Sequence, residues 1–167
     1  MCHTISMIIS IDPGYDRFGL AFVEKENGNY KLIHSECITT SKTQEYSERI
    51  SHIGTQLSHA IKKFKPDILA IESVFFSNNQ KTVLKISEVR GMVLYIATVF
   101  GLPVIDLTPL EVKMSITGYG RATKDQILYM LPHLITLDSA QKYLDDELDA
   151  IAIGIAAFDY KSRLKNK

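Results

Sequence analysis

The chain has 167 residues, 46% hydrophobic and 23% charged, enough for one well-buried core and too few for two ordinary domains. Its 19 Lys and Arg balance 19 Asp and Glu, so overall charge selects no polyanionic partner, and any nucleic-acid surface must arise from local asymmetry. No apolar run approaches the ~18 residues of a membrane span, the N-terminus lacks a basic stretch followed by an apolar core, and Cys2 and Cys37 have no metal-type spacing; a soluble, cytoplasmic, reduced protein is expected.

Residues 1–6 read as a frayed end, with Met7 an alternative start. The apolar run Ile8-Ile9-Ser10-Ile11-Asp12 predicts a strand that ends in a carboxylate and is stopped by Pro13-Gly14. Phe18 to Glu24 predicts a second strand and Tyr30 to Ile38 a third, joined by Asn27-Gly28, residues that tolerate the positive φ of a tight hairpin. Between Thr43 and Phe64 the apolar positions Ile50, Ile53, Leu57, Ile61 and Phe64 recur at three- and four-residue steps, the pattern of an amphipathic helix, which Pro66 ends. Ile68 to Glu72 repeats the form of the first strand, and a strand–helix–strand connection of this length favours a parallel crossover.

Residues 80–100 predict a long helix that is apolar nearly all round from Val89 onward, so one face can pack on the sheet while the other calls for a second copy of the chain or a larger core. Leu102 to Asp106 predicts a fifth strand and Pro109 to Ile116 a helix. A glycine-flanked basic loop, 117–122, leads to a helix N-capped by Thr123 that runs to Met130 and is closed by Pro132. The last helix is expected from Tyr143 to Tyr160, with 161–167 a basic, mobile tail. The expected fold is α/β, a five-stranded mixed sheet (three antiparallel strands, then two parallel) flanked by helices in one domain.

Asp12 and Glu72 are the chemical signal. A carboxylate closing an otherwise apolar strand has no routine structural reward, and two such strands, if neighbours, put both acids at one sheet edge. Asp146 and Asp149, three apart in the first turn of the last helix, share a face. Ala150, Gly154 and Ala157 continue that side as small residues, and Ser10 and Ala70 are small on the strand faces of Asp12 and Glu72, so the helix can approach and bring four acids together. Four close carboxylates raise one another's pKa, and a divalent cation resolves the conflict. Oxygen donors without His or Cys suit Mg²⁺, with Mn²⁺ as a substitute, and one or two ions per subunit would assist hydrolysis of a phosphodiester. Acids in a first helical turn also simply favour the helix dipole, which accounts for Asp145 and Glu147 but not for Asp12 and Glu72.

The ordered set Ile11-Asp12-Pro13-Gly14, Ala70-Ile71-Glu72-Ser73-Val74-Phe75, Glu88-Val89-Arg90-Gly91 and Asp146-Glu147-Leu148-Asp149-Ala150-Ile151-Ala152 resembles the RuvC family of Holliday-junction resolvases, within the ribonuclease H-like superfamily. The resemblance covers residues 7–160. It implies a ribonuclease H-like fold and a homodimeric, Mg²⁺-dependent endodeoxyribonuclease that resolves four-way junctions by paired symmetric nicks, dimerised through the 80–100 helix, and it leaves open a branch-migration motor as a further partner. It makes Asp12, Glu72, Asp146 and Asp149 the metal ligands, with Lys113 and Lys124 basic residues near the scissile phosphate; by themselves these lysines read as solvated surface charges. Phe75 aligns with a wedge-type aromatic of the family, and Phe76 is either a second stacking residue or a core one.

Between residues 73 and 136 the cations Lys81, Lys85, Arg90, Lys113, Arg121 and Lys124 exceed the four acids by only two. These side chains, with Tyr119, are the candidate DNA contacts, and affinity is expected to be markedly salt-dependent. A YqgF-like RNA-processing nuclease and a junction-binding module without activity are the alternatives; the Phe75 loop and the Asp146/Asp149 pair weigh against the first and the four acids against the second.

Overall fold

In the computed structural model, which describes residues 7–73 and 80–165, the chain runs β1 (Met7–Asp12), β2 (Arg17–Glu26), β3 (Asn29–Thr39), α1 (Tyr46–Phe64), β4 (Ile68–Glu72), α2 (Gln80–Val99), β5 (Val104–Leu107), α3 (Pro109–Thr117), α4 (Lys124–Leu134), β6 (Ile135–Thr136) and α5 (Asp145–Lys165). The described strands form one mixed sheet in the order β5-β4-β1-β2-β3-β6. β1, β2 and β3 are the expected antiparallel meander, with Asn27 and Gly28 both at positive φ in the β2–β3 turn. β4 adds parallel to β1 and β5 parallel to β4, as the crossover rule requires.

The sheet has six strands, not five. The extra one, β6, is two residues long and pairs only Ile135 with Tyr30 and Thr136 with Lys31, too short to carry an alternating pattern. Several boundaries shift by one to three residues, and two helix ends run past expectation. Pro132 does not close α4: it lies in the last turn with an exposed ring, so one backbone bond is lost and the helix reaches Leu134, where the Ile135 N–H donates to the Leu131 carbonyl. α5 extends beyond the expected Tyr160 through residues 161–165, where nothing breaks the helix and Lys161 and Arg163 suit the negative end of its dipole.

Alternation along the strands splits the core into two layers. Ile9, Ile11, Leu20, Leu69 and Ile71 pack under α1 and α2 together with Phe18 and Phe22, all fully buried. Ile8, Ala21, Val23, Ile68 and Ala70 face α5, with α3 and α4 beside it. Each fully buried large side chain contributes about 1.5–3 kcal/mol. α5 lies close to the sheet because its inward side is small: a Cβ on Gly154 would stand 2.8 Å from both the Ser10 hydroxyl and a Val23 methyl. Ser10 itself is buried and donates to the Ala21 carbonyl.

Candidate active site

Ile11 pairs with Ile71 in the parallel β1–β4 ladder, so the next residue of each strand, Asp12 and Glu72, leaves the same sheet edge side by side. α5 begins over that edge, and two contacts fix its height. The backbone of Gly19 on β2 touches the Asp146 carbonyl so closely that a Cβ there would lie 2.1 Å from its oxygen. Buried Glu147 accepts from Ser35 Oγ on β3 at 2.9 Å and from the Leu144 N–H at 2.9 Å, pinning the first turn. Behind Asp12, buried Arg49 grips the 15–16 loop through the Tyr15 carbonyl and the Asp16 carboxylate.

These placements open a cleft of about 190 Å³ bounded by Asp12, Glu72, Asp149, Lys113 of α3 and Lys124 of α4, with Val112, Ile127 and Ala152 supplying apolar wall. Burial, followed by the charges of Asp149, Glu72 and Asp146, pushes Asp12 up to about 7, with Lys124 opposing. Glu72 is raised by burial and then by Asp149, against Lys113. Lys124 loses by burial but gains more from the hydrogen bond and charge of Asp149, 2.9 Å away, and from Asp145, and is held above the usual lysine range.

Three of the four expected ligands therefore face one cleft. Asp146 does not line it: its carboxylate turns to Arg17, in an ion pair, and to the Cys37 thiol. Among the described residues no three Asp, Glu, His or Cys side chains stand ready to hold an ion as they are, and two of the acids are engaged by cations, Asp149 by Lys124 and Asp146 by Arg17. The donor set nevertheless fits a hard divalent cation. Asp12, Glu72 and Asp149 are all carboxylates on one cleft, and burial, followed by the charge of its neighbours, raises the pKa of Asp12. Arg17 was not legible as a partner, since it meets Asp146 only through the approach of α5 to β2.

The proposed DNA contacts scatter. Lys113 and Lys124 reach the cleft, while Tyr119 and Arg121 are exposed on the loop between α3 and α4. Lys85 lies over the Tyr15 and Tyr46 rings, at 5.0 and 5.1 Å from their centroids. Arg90 is folded back onto the strand ends. Phe75, Phe76 and the Lys81 side chain lie outside the described residues.

A mixed sheet of this order, with acids on the tips of β1 and β4 and in the first turns of the helix packed over them, defines a ribonuclease H-like protein. Residues 8–157 match the family described as Crossover junction endodeoxyribonuclease RuvC, and the chain belongs to that family. It is 43% identical over 148 residues to the protein of that name from Brachyspira hyodysenteriae, covering 89% of this chain and 91% of that one. It is 40% identical to the one from Caldicellulosiruptor saccharolyticus, covering 89% of each. Among solved structures, T. thermophilus RuvC in complex with Holliday junction substrate aligns with a TM-score of 0.87 and 28% identity over 95% of this chain and 96% of that one.

Proposed function

We propose that this chain is a structure-specific endodeoxyribonuclease of the cytoplasm that resolves four-way DNA junctions by paired symmetric nicks. The observation that carries the reading is the convergence of Asp12, Glu72 and Asp149 with Lys113 and Lys124 on one cleft, in a chain of this family. Asp12, Glu72 and Asp149, joined by Asp146 once it leaves Arg17, would hold Mg²⁺ or Mn²⁺, one or two ions per subunit. Bound there, the ion would activate water and offset charge on the leaving 3′ oxygen. Lys113 and Lys124, which line the same cleft, supply positive charge that can bond non-bridging phosphate oxygens. Partial burial of Asp12 and Glu72 strengthens their interaction with a cation. The test is incubation of labelled four-way junction, linear duplex and RNA with Mg²⁺ or EDTA. Cutting confined to the junction and abolished by EDTA is expected; cutting of RNA in preference to junction would contradict the reading.

The pKa of Asp12 gives a second test. An unfolded Asp titrates near 3.9, and the folded group near 7. Between those values the folded chain holds the extra proton, so this group's contribution to stability falls as pH rises from about 4 to about 7 and then levels off. Mg²⁺ competes with that proton. The expected result is a Mg²⁺-induced rise in Tm that is small at pH 5 and large at pH 8; an equal rise at both would contradict the assignment of Asp12.

A homodimer through α2 belongs to the same proposal. Its inward residues Val89, Val93, Ile96 and Ala97 are buried, whereas Leu84, Tyr95 and Val99 are 64%, 69% and 62% exposed, and nothing lies within 4 Å of a Cβ built on Gly91 between them. A second copy can therefore approach closely along this stripe. Tyr95→Glu is expected to give a folded monomer by sedimentation velocity; an unchanged dimer would place the interface elsewhere.

A further inference from the structure

Arg90 leaves the middle of α2 and ends on the strand tips beside the cleft. Its Nη1 donates to the backbone carbonyl of Glu72 at 3.1 Å, and its Nη2 pairs with the Asp106 carboxylate on β5. Asp106 is the register partner of Ile71, so one guanidinium spans the ends of β4 and β5 where Glu72 departs. The Arg90 side chain is 18% exposed, against 48% for Lys124.

A strand's last residue needs such help. Beyond Glu72, Ser73 bonds the Leu107 carbonyl through its N–H at 2.8 Å and its hydroxyl at 2.9 Å, which secures the β5 side. Arg90 secures the α2 side, and the planar fork of an arginine can hold a carbonyl and a carboxylate at once, as a lysine cannot.

We infer that Arg90 is a positioning residue for Glu72, not a DNA contact. It acts on the main chain of the acid and leaves the carboxylate to face the cleft. The catalytic consequence rests on the junction-nuclease reading; the effect on metal affinity does not.

The experiment compares wild type with Arg90→Gln, Arg90→Lys, Asp106→Asn, which keeps the guanidinium but removes the charge of its partner, and the Arg90→Gln/Asp106→Asn double variant. Three quantities are read: junction Kd in EDTA at two salt concentrations, Mn²⁺ affinity of the DNA-free protein by electron paramagnetic resonance, and cutting rate at saturating junction. Positioning predicts a Kd within about twofold and an unchanged salt slope in every variant. Mn²⁺ affinity and cutting rate should fall about 10–100-fold in Arg90→Gln, the scale for residues that orient metal ligands. They should fall less in Arg90→Lys and Asp106→Asn, and the double variant should be no worse than Arg90→Gln. A weaker junction Kd with a salt slope reduced by about one, and a silent Asp106→Asn, would make Arg90 a phosphate contact and overturn the inference. A lowered Tm with unchanged Mn²⁺ affinity would overturn it in favour of a purely structural role. If wild type fails to cut junctions, the junction reading falls and the Mn²⁺ titration still decides Arg90.

Discussion

Asp12→Asn is expected to leave junction affinity within about twofold of wild type while slowing cutting by about 10³-fold or more. Asp12 lines the cleft, and in the proposed reaction it would hold the ion and not touch the DNA. Removing a group that holds the charge-stabilising ion costs about 4 kcal/mol of barrier lowering, and each 1.36 kcal/mol is tenfold in rate. The same substitution should stabilise the metal-free protein at pH 8. There the carboxylate is ionised against burial and three like-charged neighbours, whereas the amide carries no charge. Little gain is expected at pH 5, where the wild-type acid already holds its proton. Lost activity together with raised stability marks a residue kept for chemistry at the expense of the fold. Thermal melts at both pH values and single-turnover cutting check the pair of effects; near-wild-type cutting would remove Asp12 from the site.

Gly19→Val is expected to lower both stability and activity. A Cβ at this position would lie 2.1 Å from the carbonyl oxygen and 2.6 Å from the carbonyl carbon of Asp146. Both are backbone atoms, so relief requires α5 to lift from β2, which carries Asp146 and Asp149 away from Asp12 and Glu72. Overpacking of this kind costs about 1–3 kcal/mol, or a Tm lower by about 3–10 °C at this chain length. Displacing reacting groups by about 1 Å costs about 10²-fold in rate. Gly91→Ala, measured in the Tyr95→Glu background where no second copy faces it, is the contrast: within the chain no side chain or neighbouring element lies within 4 Å of the added Cβ, and alanine favours a helix interior, so Tm should hold or rise. Equal losses in the two variants would mean that the clash at Gly19 is not what sets α5 in place.

Much of this arrangement was legible because it follows from local rules. An apolar run stopped at Asp12 and another stopped at Glu72 give two strands and their ends, and the small residues Ser10, Ala70, Ala150, Gly154 and Ala157 give the helix that covers them. What was not legible depends on tertiary contact. β6 exists only because Ile135 and Thr136 happen to meet the start of β3. α4 keeps its last turn despite Pro132 because Ile135 closes it from the following strand. The pairing of Asp146 with Arg17 needs the height of α5 over β2, which spacing along the chain does not encode. Arg90 read from sequence as part of the family-like segment Glu88-Val89-Arg90-Gly91 and as a candidate DNA contact, because nothing local reveals that its guanidinium reaches back to Glu72 and Asp106.

In the proposed reaction this cleft cuts a junction by attack of water with the 3′ oxygen leaving, once in each of two opposed strands. The most direct measurement is strand-by-strand mapping of the products from a junction with each strand labelled in turn, followed by treatment with DNA ligase. The account predicts nicks at symmetry-related positions in two opposed strands, bearing 5′-phosphate and 3′-hydroxyl ends that ligase seals without processing. Nicks in a single strand, cuts scattered along the arms, or ends that ligase cannot seal would contradict it.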